Sequence, residues 1–173
     1  RERDAEADYL KLAKRLSKAR AGAAKALSAA VSAGMQELAM SGGRFEVALT
    51  ALEIGAAHGL EHVEFLVSAN AGQPLRALSK VASGGELSRI GLALQVIASQ
   101  ANQAGTLIFD EVDVGIGGRV AEIVGRMLRQ LGRSRQVICV THLPQVAAQA
   151  DWHWAIAKQQ RDGGTASSVD ALD

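Results

Sequence analysis

Val81-Ala82-Ser83-Gly84-Gly85-Glu86-Leu87-Ser88-Arg89 decides how the rest of the chain is read. The stretch follows an extended segment and opens an amphipathic run from Leu87 to Ala98. Two adjacent glycines let a backbone come close to a ligand. The helix that begins there offers free N–H groups and the positive end of its dipole. Such a loop is suited to an anion, a phosphate above all.

Working outward, residues 1 to about 40 read as helix, rich in Ala, Leu, Lys and Arg and free of proline. Leu27, Val31, Met35 and Leu38 share one face, with a looser stripe at Leu10 and Leu16. The charges from Lys11 to Lys25 are all basic: Lys11, Lys14, Arg15, Lys18, Arg20 and Lys25. A strip facing DNA is one reading; the solvated face of a coiled coil is the favoured one. Arg1-Glu2-Arg3-Asp4 carries neither an initiator methionine nor a capping residue, so it reads as a cut through a longer helix. Ser41-Gly42-Gly43 ends the helix. Phe45, Val47 and Leu49 then alternate with Glu46, Ala48 and Thr50, the pattern of a strand. Gly55 to Gly59 reads as a turn and Val63, Phe65 and Val67 as one face of a second strand, which Asn70 to Pro74 closes. His58 and His62 lie close together but lack the companions of a metal set.

Downstream of the loop, a helix from Glu86 to Gln100 turns Leu87, Ile90, Leu94 and Ile97 inward. Leu107, Ile108 and Phe109 make a short apolar strand of the kind buried on both faces. A glycine-rich turn, 114 to 118, leads into a helix from Arg119 to Leu131. Val137 to Val140 is a second buried strand, and Pro144 opens a short helix from Gln145 to Ala150. Trp152, Trp154 and Ile156 alternate in a strand over 152–158, and the polar tail ends in one more weak strand. Helices alternating with strands over 84–158 predict an α/β fold with a mainly parallel sheet flanked by helices, preceded by the long helix and the hairpin.

In parallel sheets, ligands sit beyond the carboxyl ends of the strands. Asp110-Glu111 and Thr141-His142 stand at those ends. One carboxylate suits a hydrated Mg²⁺ and the other can orient or deprotonate a water. The competing reading is an acidic pair that caps the next turn. His142, ending the neighbouring strand, could reach a phosphate or that water. Together with the glycine loop, these make three anion- or metal-suited elements for one sheet edge.

The composition sets limits. Of 173 residues, 48% are apolar and 21% charged, ordinary for a globular chain. Aromatics are only 3%, so the core is aliphatic. A net charge of +1 provides no global field for nucleic acid, so any such contact is local. The single cysteine, Cys139, sits in an apolar run; it reads as a small buried hydrophobe and favours a reducing compartment. No apolar run reaches membrane-spanning length, so no membrane partner is expected.

Ser83-Gly84-Gly85-Glu86 resembles the signature loop of ABC-type ATPases, and Leu107 to Glu111 resembles their Walker B strand with its catalytic glutamate. Val112-Asp113-Val114-Gly115 stands where their D-loop follows, and Thr141-His142 matches their switch histidine. The wording of 81–89, of Phe109 to Gly118 and of Val140 to Ala147 is narrower still and resembles the RecN family, bacterial SMC-like ATPases of double-strand break repair. The resemblance implies residues 1–40 as the end of a coiled-coil helix and 41–173 as the C-terminal lobe of an ATPase head. It implies ATP and Mg²⁺ as cofactors, Asp110 on the metal, Glu111 polarising water and His142 at the γ-phosphate. Ser83, Gly84, Gly85 and Glu86 would meet nucleotide held by a partner head, with Asp113 coupling the two heads. No Gly-Lys pair occurs, since the lysines are 11, 14, 18, 25, 80 and 158, so the P-loop is expected in a separate N-terminal lobe. The implied partners are that lobe, a second head in a homodimer sandwiching ATP, and DNA, within a nucleoid-associated cytoplasmic setting. Arg119, Arg126, Arg129, Arg133 and Arg135 are possible DNA contacts, though a solvated helix face is the favoured reading. Another SMC-type ATPase, an ABC transporter domain and a non-catalytic interaction module are the rival readings.

Overall fold

A helix of 36 residues, α1 (Glu2–Glu37), opens the chain. The structure, a computed structural model, describes residues 1–173 except 82, 102, 103, 111, 162, 163 and 173. They divide into two compact units, Arg1–Gln103 and Ala104–Asp173.

In the first unit, α1 packs on a three-stranded antiparallel sheet in the order β1-β2-β3, formed by β1 (Arg44–Ala56), β2 (Gly59–Ser68) and β3 (Arg76–Ala77). Val31, Met35 and Leu38 of the predicted face are fully buried, whereas Leu10 and Leu16 of the looser stripe are exposed and Ala13 and Ala24 are buried in that part of the helix. β1 is a sheet edge, with backbone groups that need partners. Two serines one turn apart on α1 supply them. Ser28 Oγ accepts the amide of Val47 at 2.9 Å, and Ser32 Oγ accepts that of Phe45 at 2.9 Å. Ser32 also donates to the Phe45 carbonyl at 3.2 Å. The Tyr9 hydroxyl lies within donating distance of the carbonyls of Ala56 (2.9 Å) and Gly59 (3.2 Å) and so fixes the hairpin turn. β1 runs through the predicted glycine turn to Ala56, leaving Ala57 and His58 as the turn itself. His58 and His62 are both exposed.

The 3₁₀ turn Leu78–Lys80 leads to α2 (Gly84–Ala101), which packs on α1. Its buried face is Ile90, Leu92, Ala93 and Val96. Leu87, expected inward, is 44% exposed: it stands in the first turn, ahead of the stretch that meets α1.

The second unit holds β4 (Thr106–Phe109) and β5 (Gln136–Cys139), a parallel pair with Phe109 opposite Cys139. α3 (Gly118–Gly132) connects them and packs on β5 and on the short α4 (Pro144–Ala147). Gly125 allows the α3–α4 approach, since a Cβ there would lie 2.7 Å from Gln149 Cγ and 3.2 Å from the Gln145 carbonyl. The α/β expectation holds, and parallel pairing is present in β4-β5. The strand expected over 152–158 departs from it. It is β6 (His153–Arg161), and it pairs antiparallel with β7 (Gly164–Leu172) rather than with β4 or β5. Its apolar residues are open, with Trp154 67% and Ile156 66% exposed. The two-faced burial expected of β4 is also one-sided: Phe109 is 4% exposed and Ile108 70%. Alternate side chains of a strand face opposite ways, and α3 covers only one face of so narrow a sheet. Among the described residues, no helix is long and apolar enough to cross a membrane.

Met35 is fully buried, whereas Leu12 on the same helix is 62% exposed. Met35→Ala should cost about 2–5 kcal/mol. Leu12→Ala should stay within about 0.5 kcal/mol. Urea unfolding followed by circular dichroism checks both; comparable losses would mean that the sheet-facing side of α1 does not carry the stability of this unit.

Candidate functional site

The second unit carries the strand-end chemistry. Asp110 follows β4 directly and is exposed; Glu111 lies outside the described residues. The chain then turns over 112–115, where Gly115 takes the left-handed backbone (φ 72°), as does Gly118 at the start of α3 (φ 52°). Within this turn, the chain buries a carboxylate. Asp113 is only 2% exposed.

A buried carboxylate is tolerated when donors surround it. Asp113 Oδ2 accepts from the Thr141 hydroxyl and, at 3.0 Å, from the backbone amide of His142. His142 Nδ1 lies 3.3 Å away, while its side chain remains 72% exposed. Thr141 Oγ1 in turn accepts the amide of Leu143 at 3.0 Å. One carboxylate thus fixes the whole turn after β5 through two side chains and two amides. Nδ1 is the ring nitrogen in contact with Asp113, which leaves Nε2 as the nitrogen outside that contact.

Charge follows geometry. Burial works to raise the Asp113 carboxyl, but the Thr141 hydroxyl, the His142 amide and the His142 ring outweigh it and hold the pKa below the ordinary value. Cys139, at the end of β5, shows the opposite. Burial first, then the charges of Asp113 and Asp110, push its thiol up to about 11. It is half-buried rather than fully buried, and its environment keeps it an inert thiol.

The glycine loop belongs to the first unit. Ser83 is exposed at the head of α2, where its hydroxyl accepts the amide of Glu86 at 3.4 Å and its carbonyl accepts that of Leu87 at 3.0 Å. Arg89 Nε donates to the Gly85 carbonyl at 3.1 Å, which places a guanidinium one turn from the loop. Ser83 and Glu86 also line a groove with Arg76 and Lys80. Gly84 is helical, with no left-handed backbone, and a Cβ there would meet nothing within 4 Å. Local folding therefore does not require glycine at this position.

For Mg²⁺, the available donor is Asp110, since among the described residues no group of three His, Cys, Asp or Glu side chains could hold a metal ion. A single exposed carboxylate fits an ion that keeps its waters and takes substrate phosphates as its other ligands. Of the arginines singled out on α3, Arg119, Arg126 and Arg133 are exposed; Arg126 pairs with Glu122 at 3.1 Å, and Arg129 lies 3.7 Å from Asp151. Thr141 is the site residue to which sequence reasoning gave no role. Its partner is 28 residues away, and only its place before the histidine hinted at a function.

Thr141→Val removes a donor from the buried carboxylate and should cost about 1–3 kcal/mol at pH 7. Because the Asp113 pKa is depressed, its contribution is complete above the unfolded value of about 3.9 and fades as pH falls through the lower folded value. The stability gap between the two proteins should therefore be flat from pH 5 to 8 and shrink only in strong acid. With its thiol near 11, Cys139 should be about one part in a thousand thiolate at pH 8, against about one in four for a free cysteine. Iodoacetamide should label it far more slowly in the native chain than in guanidinium, and somewhat faster after Asp113→Asn; equal native and unfolded rates would contradict the assigned environment.

No family model matches the chain. Among curated proteins, it is 48% identical over 163 residues to the DNA repair protein RecN of Xylella fastidiosa (strain Temecula1), covering 93% of this chain and 29% of that one. The RecN of Vibrio cholerae is 47% identical over 169 residues, covering 95% of this chain and 30% of its own. The RecN of Bacillus subtilis is 51% identical over 114 residues, 66% of this chain and 20% of that one. Among solved structures, the Smc head domain of Pyrococcus furiosus, bound to the C-terminal domain of ScpA, superposes with a TM-score of 0.68 at 21% identity, over 93% of this chain and 38% of that one. The Smc head of Pyrococcus yayanosii, with a coiled coil and joint, gives 0.67 at 24% identity, over 86% and 27%. The fold is that of SMC heads, and the chain spans less than a third of the length of the curated relatives it matches. By sequence, it belongs to the RecN family of DNA repair proteins.

Proposed function

We propose that the chain is the C-terminal lobe of an SMC-like ATPase head that works in DNA double-strand break repair, residues 41–173 forming the lobe and 1–40 the end of its coiled coil. The observation that carries this reading is the grip of buried Asp113 on Thr141 and His142 at the carboxyl ends of two parallel strands. It leaves an exposed imidazole after β5 and an exposed carboxylate, Asp110, after β4, groups whose chemistry suits phosphoryl transfer.

Each residue has a task. Glu111 polarises the attacking water. His142, held by Asp113, presents Nε2 to the γ-phosphate or to that water. Asp110 would hold Mg²⁺, which when bound neutralises charge on the phosphates. Asp113 couples this site to an opposing head, because whatever moves the 112–115 turn also moves His142. Ser83 and the first amides of α2, with Gly84, Gly85 and Glu86, act on a second head's nucleotide. There they supply donors as charge develops on the transferred group. The open space over Gly84 supports action in trans: glycine is needed for a close approach that nothing in its own fold makes. The N-terminal P-loop lobe and a second head are the partners, ATP the nucleotide and DNA the cargo.

The test uses the full-length protein. Glu111→Gln should abolish ATP turnover yet retain ATP-driven head association by size-exclusion chromatography. Gly84→Val should leave the melting free energy within about 0.5 kcal/mol while ATP-driven association is lost. The 173-residue chain alone should show no turnover. Unchanged turnover in Glu111→Gln, or full activity in Gly84→Val, would favour a structural module.

A further inference from the structure

From Lys11 to Lys25, α1 carries six cations and no carboxylate, in a chain whose net charge is only +1. The helix separates them. At 3.6 residues per turn, Lys11, Lys14, Arg15, Lys18 and Lys25 fall within an arc of about 100°. The sixth, Arg20, lies on the opposite side with buried Ala13 and Ala24, where it meets Glu61 of β2 at 3.4 Å. The five are all exposed, and among the described residues none takes part in an ion pair.

A merely solvated face has no reason for this arrangement. Lys11 and Arg15, like Lys14 and Lys18, are like charges four residues apart, and each such pair weakens a helix. Interleaved carboxylates would relieve this, yet Glu2, Asp4, Glu6 and Asp8 all precede the stripe. Coiled-coil packing does not account for it either. The exposed apolar residues Leu10, Leu12 and Leu16 all lie about a quarter of a turn or more from the centre of the stripe, so a helix seated on them would leave most of the cations in solvent.

We infer that this stripe is a landing strip for the phosphate backbone of duplex DNA. Fifteen residues of helix run about 21 Å. Over that length, one DNA strand presents about six phosphates. Five unpaired cations on one face match that row in charge and in reach. Such contacts read no bases, so the strip holds DNA along the coiled-coil stem without sequence preference. The choice of DNA among polyanions rests on the repair reading above; the placement of the site rests on the helix alone.

Fluorescence anisotropy of a 30-base-pair duplex, titrated with the 173-residue chain without nucleotide, tests it. Five phosphate contacts give a log–log salt slope near about −4.5, hence a loss of about 500-fold in affinity between 50 and 200 mM salt. The triple variant Lys11→Gln/Lys14→Gln/Lys18→Gln touches no packed residue and keeps good helix formers. With two contacts left, it should lose only about twelvefold over the same range and bind more weakly at 50 mM. Arg119→Gln/Arg133→Gln on α3 should leave the slope unchanged. Equal slopes for wild type and triple variant overturn the inference, as does a slope that moves only with the α3 pair or a chain that prefers polyglutamate to the duplex. ATP turnover does not enter this assay, so its failure and that of the ATPase reading are separate outcomes.

Discussion

A carboxylate buried to 2% exposure is the constraint on which the second unit depends. An ionised group taken from water is tolerated only if the protein replaces its hydration with fixed donors. Asp113 finds them in the segment that follows β5, so the turn after one strand cannot settle without the turn after its neighbour. The parallel register, which sets Phe109 beside Cys139, brings those two turns to the same end of the sheet. Fold and site are in this sense one arrangement: parallel pairing delivers Thr141 and His142 to Asp113, and Asp113 fixes the direction of the histidine ring.

The same constraint explains why the site is half rigid and half open. The groups that hold, Asp113 and Thr141, are buried or half-buried and joined by hydrogen bonds. The groups that would act, Asp110 and His142, are exposed. The supporting carboxylate also marks its neighbourhood, because its negative charge adds to the burial of Cys139 in suppressing ionisation of that thiol. In the first unit, neutral groups do the equivalent work: Ser28 and Ser32 satisfy the edge of β1, and Tyr9 fixes its turn.

What was legible in the sequence follows from the range of the forces involved. α1 was legible because its periodicity is local, and so were the hairpin strands. The places of Asp110 and His142 beyond the ends of β4 and β5 were legible because each follows a short apolar run. The role of Asp113 toward Thr141 was not, since it needs two turns 28 residues apart to meet. The inward place assigned to Leu87 failed for a similar reason. Helical spacing gives a face but not where along the helix the neighbour begins, and α1 meets α2 beyond its first turn. Ile108 was read as buried because its strand is wholly apolar, but the single helix on the sheet covers only one face.

Glycine 84 separates two uses of the same residue. At Gly115 and Gly118, the left-handed backbone itself calls for glycine, and the local fold is explanation enough. Gly84 has ordinary helical geometry and empty space where a Cβ would go. Glycine there costs helix stability without local return, about 0.8–1.0 kcal/mol in a helix interior and less in a first turn. Glycine at 84 therefore has no local folding reason, and the proposed approach of a ligand closer to the backbone than a methyl group permits would supply one. Its neighbours point the same way. Ser83 is exposed ahead of a helix start, and Arg89 is drawn back onto the Gly85 carbonyl, which concentrates donors and positive charge around a surface this chain leaves open. Under the proposed function, this open loop is the half of a shared site that a second head would complete.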